Sequence, residues 1–219
     1  MLKQAKREAT RMVNALLPWA EKGVPIVGLE PSCLLTLRDE YKVLIPGTAT
    51  DKVAEKAMLL EELIVDDHNQ GQLNWTLKAP ATTALVHGHC HQKALGAFSA
   101  VQQCLDLIPD MDVKLVESSC CGMAGAFGYA RETAEVSMQM AELDLLPAVR
   151  NADKDTLIVA DGTSCRHQIA DGTKRQAIHV AEVLLMALEN GSANNIVDPT
   201  DVQHTTSQVT GQHAVGDAT

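Results

Sequence analysis

Aromatic side chains are almost missing from this chain of 219 residues, with two Trp, two Tyr and two Phe making up 3% of it. A core therefore has to be built from Leu, Val, Ile, Ala and Met. No apolar run reaches the roughly 20 residues that a bilayer-spanning helix needs. The first residues, MLKQAKREATRM, are charged and polar, without the apolar stretch of a secretory signal. Basic residues form no stripe, and a formal net charge of −10 argues against nucleic acid as a partner. A ferredoxin-type C-x2-C-x2-C run is absent too. The glycines of GMAGAFG (122, 125 and 128) are spaced GxxGxxG, not GxGxxG, so a flavin or nicotinamide site is not expected in this chain.

What is present is cysteine, in telling places. Three expected strands each run into it: ALVHGHC ends at Cys90, VKLVESSCC at Cys120 and Cys121, and LIVADGTSC at Cys165. In an open α/β sheet, ligands collect at the carboxyl ends of the strands. Between Cys90 and Cys120 lie 29 residues, enough for a helix and a returning strand; between Cys121 and Cys165 lie 43. Successive side chains of a regular strand face opposite ways, so Cys120 and Cys121 need a turn to aim at one centre. Gly122 and Gly125 supply the backbone freedom for it. Without a secretory signal, six cysteines read better as metal ligands or redox thiols than as structural disulfides. Four thiolates are the usual ligand count of an iron–sulfur cluster. Cys104, inside a helical pattern with Leu105 and Ile108, reads as a core residue.

The chain also repeats itself. Residues 3–18 carry apolar residues at Ala5, Ala9, Met12 and Leu16 and end in LLP; residues 132–147 carry Ala134, Met138, Ala141 and Leu145 and end in LLP. Both have the i, i+4, i+7, i+11 spacing of one buried helix face. A short loop and a β-branched strand follow each (VPIVG at 24–28, TLIVA at 156–160), then a Ser-Cys pair at Cys33 or Cys165. Self-similarity in fixed order indicates duplicated supersecondary units. The second unit has a front half, strand–Cys90–helix–strand–Cys120-Cys121, that the first lacks. The first repeat is therefore expected to be incomplete, as in the tail of a longer polypeptide.

Pattern and punctuation predict helices over 3–20, 31–42, 51–65, 92–107, 126–149, 164–170 and 178–189, and strands over 24–28, 82–88, 112–117 and 156–160. Alternating strands and helices imply an α/β fold with mostly parallel sheets covered by helices. The expected division is 1–68 (the C-terminal half of a first repeat), 69–190 (a complete second repeat) and a disordered polar tail over 191–219.

The pattern Cys90…Cys120-Cys121-Gly122…Cys165 resembles the cysteine-rich CCG domain of heterodisulfide reductase B-type subunits and glycolate oxidase iron–sulfur subunits. VHGHCHQKALG (86–96), SCCGMAGAFGY (119–129), LLPAVR (145–150) and ADGTSCRHQI (160–169) are similar to the C-terminal iron–sulfur portion of large FAD-linked D-2-hydroxy acid dehydrogenases. The resemblance covers roughly residues 1–190 and implies two CCG repeats. It further implies an iron–sulfur cluster of the 4Fe-4S type on Cys90, Cys120, Cys121 and Cys165. Electrons would pass from a flavin, in a partner domain or subunit, to an acceptor such as a quinone, a ferredoxin or a disulfide. Such a module would not oxidise substrate alone. It would be cytoplasmic, touching the inner membrane only through partners. One departure is plain: where the reductase subunits close with CxxC, Cys165-Arg166-His167-Gln168 has glutamine.

Three secondary ligand candidates stand beside the four thiols. Cys33 aligns with Cys165 and would serve the first repeat's site. His87, His89 and His91 alternate around Cys90, and His89 or His91 could ligate a metal or hydrogen-bond to sulfur. Cysteine with histidine suits zinc, so a zinc-holding docking module is one alternative function. A thiol–disulfide enzyme using Cys120 and Cys121 is another. Asp161, Glu30 and Glu117 lie near strand ends, but no general acid or base is assigned.

Overall fold

The computed structural model describes residues 1–118 and 120–191. The chain opens with α1 (Leu2–Ala20), β1 (Ile26–Gly28), α2 (Pro31–Arg38), α3 (Glu40–Leu44), α4 (Thr48–Lys56), β2 (Ala57–Leu59) and α5 (Leu60–Asn69). It continues through β3 (Thr83–Val86), α6 (Cys90–Ala94), α7 (Phe98–Asp106), β4 (Asp112–Leu115), a 3-10 turn (Phe127–Tyr129), α8 (Ala134–Glu142) and α9 (Leu145–Asn151). β5 (Leu157–Val159), α10 (Thr163–Thr173), β6 (Ala177–Ile178) and α11 (Val180–Gly191) close it.

The strands form two sheets, both wholly parallel: β1 pairs with β2, and the larger sheet runs β4-β3-β5-β6. Parallel strands need helical crossovers, which cover both faces of the larger sheet. Ala84 and Val86 of β3 and Val159 of β5 point to one face, against Val101 and Leu105 of α7, Val183 and Leu184 of α11 and Ile64 of α5. Ile158 and Ala160 point to the other, against Leu145, Leu146 and Val149 of α9 and Ile169 of α10. The two-residue alternation of the strands thus feeds two cores. Each fully buried Leu in them contributes about 1.5–3 kcal/mol relative to exposure. The smaller sheet packs β2 on Leu34, Leu35 and Leu37 of α2, while α1 lies on α4 through Val13, Ala20 and Val53.

The α/β class with parallel sheets and helical cover is as expected, while several expected helices are divided. The run 31–42 breaks at Asp39, whose backbone leaves the helical region, and 92–107 breaks at Gly96, with φ +71°. The run 126–149 is interrupted before α8 and again around Asp144. β2 falls inside the expected helix 51–65, and Ile178 of β6 was expected to open the helix 178–189, while Ala177 had no assignment. Their extended form comes from pairing with β1 and β5. The buried line of α1 is Ala9, Val13 and Ala20, with Leu16 half-buried; Ala5 and Met12 are exposed. Of the expected tail over 191–219, Gly191 closes α11 and residues 192–219 lie outside the described residues.

Apart from α3 and α4, which the first half inserts before β2, the two halves share an order of elements: strand, helix with cysteine as its third residue, parallel strand, helix. Cys33 is third in α2 and Cys165 third in α10. The closing helices start alike as well. Glu62 accepts from the Leu59 backbone N–H at 2.8 Å, and Glu182 from that of His179 at 2.9 Å. Each satisfies a donor that a helix start leaves open. Among the described residues β1 pairs only with β2, whereas β5, its counterpart, pairs with both β3 and β6. No helix of the described residues is long and apolar enough to cross a membrane.

Candidate metal and thiolate site

The larger sheet reverses its winding beside β3: β4 lies on one side and β5, reached next, on the other. Crevices at such a reversal, beyond the carboxyl ends of the strands, are where α/β sheets bind ligands. Cys90 opens α6 after β3, Cys120 and Cys121 follow β4, and Cys165 lies in the first turn of α10 after β5. The N-terminal end of a helix favours anions such as thiolates.

The four thiols fall into two pairs. Cys165 Sγ lies 3.3 Å from Cys121 Sγ, and both residues are buried. Cys90, exposed, and Cys120, half-buried, form the outer pair and interact directly. In the inner pair Cys165 is the donor and Cys121 the acceptor. The Cys165 S–H, then His87 and the Met123 N–H, hold Cys121 well below the thiol range, outweighing its burial. Cys165 is pushed well above that range by its bond to Cys121 and by burial. Burial raises Cys90 too, and the nearby Cys120 and Cys121 add to the rise. Lys93 faces these sulfurs and anchors its ammonium on the Ser118 carbonyl.

The turn itself is held from below. Gly122 has φ +89°, and a Cβ there would run into the carbonyl oxygen of Ser137 in α8. Its N–H donates to Cys120 Sγ at 3.3 Å. Gln168, which stands where a second cysteine of a CxxC would be, donates its amide to the Ser137 carbonyl and hydroxyl at 3.1 and 3.0 Å. It braces the helix that supports the turn.

His87 is the residue that sequence reasoning left out of the ligand set. It is 2% exposed, its Nδ1 lies 2.9 Å from Ser118 Oγ, and its Nε2 has no hydrogen-bond partner among the described residues. Ligand atoms of His87, Cys121 and Cys165 all lie within 4.8 Å of one another, and the three could hold a metal ion. The alternation around Cys90 signalled a histidine at this strand end, but which one turns inward depends on Ser118 across the sheet.

His89 packs its ring beside Gly162, where a Cβ would come within 2.5 Å of it and 3.1 Å of Cys165 Sγ. Its Nδ1 accepts the His91 N–H at 3.2 Å, and burial keeps it below the usual imidazole range. His91 instead directs Nε2 to Glu40 at 3.3 Å. Cys33 is exposed and belongs to no group of metal-ligating side chains among the described residues. Cys104 is fully buried in the core. The sulfur contact that would suit thiol–disulfide chemistry joins Cys121 to Cys165, not to Cys120.

Glu30 ties the two halves together at this site. One of its oxygens accepts from the N–H and the hydroxyl of Thr163, at 2.8 and 2.7 Å, and the other from the Ser32 hydroxyl at 2.8 Å. A side chain of the first half thus caps the helix that carries Cys165.

Fold and site together define an α/β protein with a buried thiolate and imidazole site at parallel strand ends. No protein-family model matches the chain. It is 30% identical over 181 residues to D-2-hydroxyglutarate dehydrogenase of Pseudomonas putida, an alignment covering 82% of this chain and 17% of that protein. It is 26% identical over 167 residues to one subunit of the anaerobic glycerol-3-phosphate dehydrogenase of Escherichia coli, covering 76% of this chain and 41% of that one. To the E. coli D-2-hydroxyglutarate dehydrogenase it is 26% identical over 186 residues, 84% of this chain and 18% of that protein. The relatives are oxidoreductases, and the chain spans less than half the length of each.

Proposed function

We propose that this chain is the cysteine-rich electron-transfer portion of an FAD-linked D-2-hydroxy acid dehydrogenase, built on the CCG pattern. Cys90, Cys120, Cys121 and Cys165 would hold one iron–sulfur cluster, of the 4Fe-4S type. The observation that carries this reading is that cysteines following three parallel strand ends lie near one another, with the Cys121 and Cys165 sulfurs 3.3 Å apart and Cys90 and Cys120 beside them. The donor set fits such a group: two of the four sulfurs are buried, and a helix N-terminus and Lys93 beside them would offset the charge of a thiolate-ligated cluster. The bound cluster would supply reversible one-electron storage. The residues of this chain do the rest: Gly122 and Ser137 shape the turn, His87 directs a ring nitrogen at the inner sulfurs, and Gln168 braces α8.

The relatives support a dehydrogenase context; the flavin would belong to another domain or subunit. The matched halves support a division into an incomplete first repeat (1–68) and a complete second (69–190). The edge of β1 that is unpaired among the described residues would be the place for the partner. Val27 and Leu29 are 40% and 53% exposed there, where the counterpart strand β5 is covered by β3. One observation favours a zinc-holding alternative: the unpartnered Nε2 of His87 beside two buried sulfurs is a donor set that zinc accepts.

Anaerobic purification, with iron, acid-labile sulfide and zinc counted per chain, tests both. Stoichiometric iron and sulfide support the electron-transfer reading. Stoichiometric zinc without sulfide moves the assignment to a structural site, and a metal-free chain removes both.

A further inference from the structure

The seam between the two sheets buries a second group of ionisable side chains. Glu61, in the first turn of α5, is 1% exposed, and neither of its oxygens has a hydrogen-bond partner among the described residues. Asp161, in the loop after β5, is 3% exposed, and His179, just before α11, is 8% exposed. His179 Nε2 lies 3.9 Å from Glu61 Oε1 and 3.6 Å from Asp161 Oδ1. The other ionisable groups facing Glu61 are Glu62 of its own helix and Cys104 of α7. Glu62 is committed to Arg38 at 2.7 Å, and Cys104 is a neutral thiol that burial, then Glu61 and Asp161, push up to about 12.

Two carboxylates and an imidazole in this arrangement could hold a cation or a proton, and the hydrogen bonds decide between them. The Ala181 N–H donates to His179 Nδ1 at 3.0 Å, so the neutral ring carries its proton on Nε2. That proton goes to the Leu29 carbonyl at 2.8 Å. A metal-bound histidine does the opposite, ligating with one nitrogen and donating from the other. His179 thus offers a cation no lone pair. Asp161 is well supplied with donors: the Gln92 amide reaches Oδ2 at 2.8 Å and the Val180 N–H reaches Oδ1 at 3.2 Å. Glu61 has none. A buried carboxylate with no donor, next to one that is well solvated by protein, is the member of the pair that stays neutral.

We propose that Glu61, Asp161 and His179 form a proton-binding site in the seam between the two sheets, with the proton resident on Glu61. Burial, then the charge of Asp161, push Glu61 up to about 8, which agrees with this assignment. The site does not depend on the metal-centre reading. Its role is to make the junction of the halves sensitive to pH: α5 belongs to the first half in sequence, yet Ile64 sits in the main core of the second. With the proton gone, two negative charges would face each other at that junction. A group whose folded pKa is raised stabilises fully below its unfolded pKa and loses that contribution as pH rises through the folded value. The window is therefore from the ordinary carboxylate range up to about pH 8.

Infrared spectroscopy of the full chain provides the test, because a protonated carboxylic acid has its own carbonyl band. The expected band is present at neutral pH, titrates away near pH 8, is lost in Glu61→Gln and survives in the exposed-site control Glu55→Gln. Melting temperatures should show Glu61→Gln matching the parent in acid and exceeding it increasingly as pH approaches 8. Absence of the band at neutral pH, or its persistence in Glu61→Gln, overturns the proposal. So does one equivalent of added zinc or manganese whose binding is lost in Glu61→Gln but kept in Cys121→Ser.

Discussion

Cys33 and Cys165 are built alike and placed unlike. Each follows a parallel strand, is preceded by serine and is the third residue of a helix. Around Cys165, two further strand ends bring Cys90, Cys120, Cys121 and His87. Around Cys33, the strand on that side is missing among the described residues, and the thiol is exposed. A cysteine in a helix first turn is thus only one corner of a site. Neighbouring strands have to deliver the remainder, and burial has to remove the water that would otherwise solvate each thiolate separately.

The largest test of that contrast is Cys121→Ser against Cys33→Ser. Removing Cys121 takes away the acceptor of the buried sulfur pair, the thiol that its neighbours hold below the usual range. Bound metal per chain should fall to near zero, while Cys33→Ser should leave metal content and melting temperature unchanged. Equal losses would place a working ligand in the first half and erase the distinction.

A smaller effect is expected at the turn. Gly122→Ala forces a side chain into a left-handed conformation and against the Ser137 carbonyl. The strain alone costs about 1–3 kcal/mol. The melting temperature should drop and metal retention weaken, since Cys120 and Cys121 would no longer be held toward one centre. An unchanged melting curve would mean that the turn relaxes freely and that Gly122 is dispensable to the site.

The mildest change sharpens the link between halves. Glu30→Gln removes the carboxylate that caps α10 and should cost about 1 kcal/mol, the usual worth of such a cap. Burial alone would raise the Glu30 pKa, but the Thr163 and Ser32 hydrogen bonds outweigh it and hold it low. Its contribution is therefore present above the ordinary carboxylate pKa and lost as pH falls through the lowered folded value. The gap between parent and variant melting temperatures should close on acidification. A gap that stays constant with pH would show that the charge of Glu30 is not what stabilises α10.

Parts of this design are legible in the chain without coordinates. The alternation of apolar residues in TALV and LIV specifies strands with two buried faces, because side chains leave a strand on opposite sides by turns. Cysteine at each strand end then follows from the parallel crossover spacing. The matched series of strand, Ser-Cys and helix is visible too, because it depends on order alone. The short strands β2 and β6 were not legible: at three and two residues they carry no pattern of their own. Partners across the sheet impose their extended form.

The site divides in the same way. Local sequence determined that thiols would reach the strand ends and that glycine would turn the chain at Cys120-Cys121, since both depend on residues within a few positions of each other. Only the tertiary structure decided that Cys121 pairs with Cys165, that His87 and not His91 faces sulfur, and that Gln168 serves Ser137. It also brought Glu61 to Asp161 and His179 from the far half of the chain. Such choices depend on which side chain loses its water against which neighbour, and that is settled by packing between segments distant in the chain.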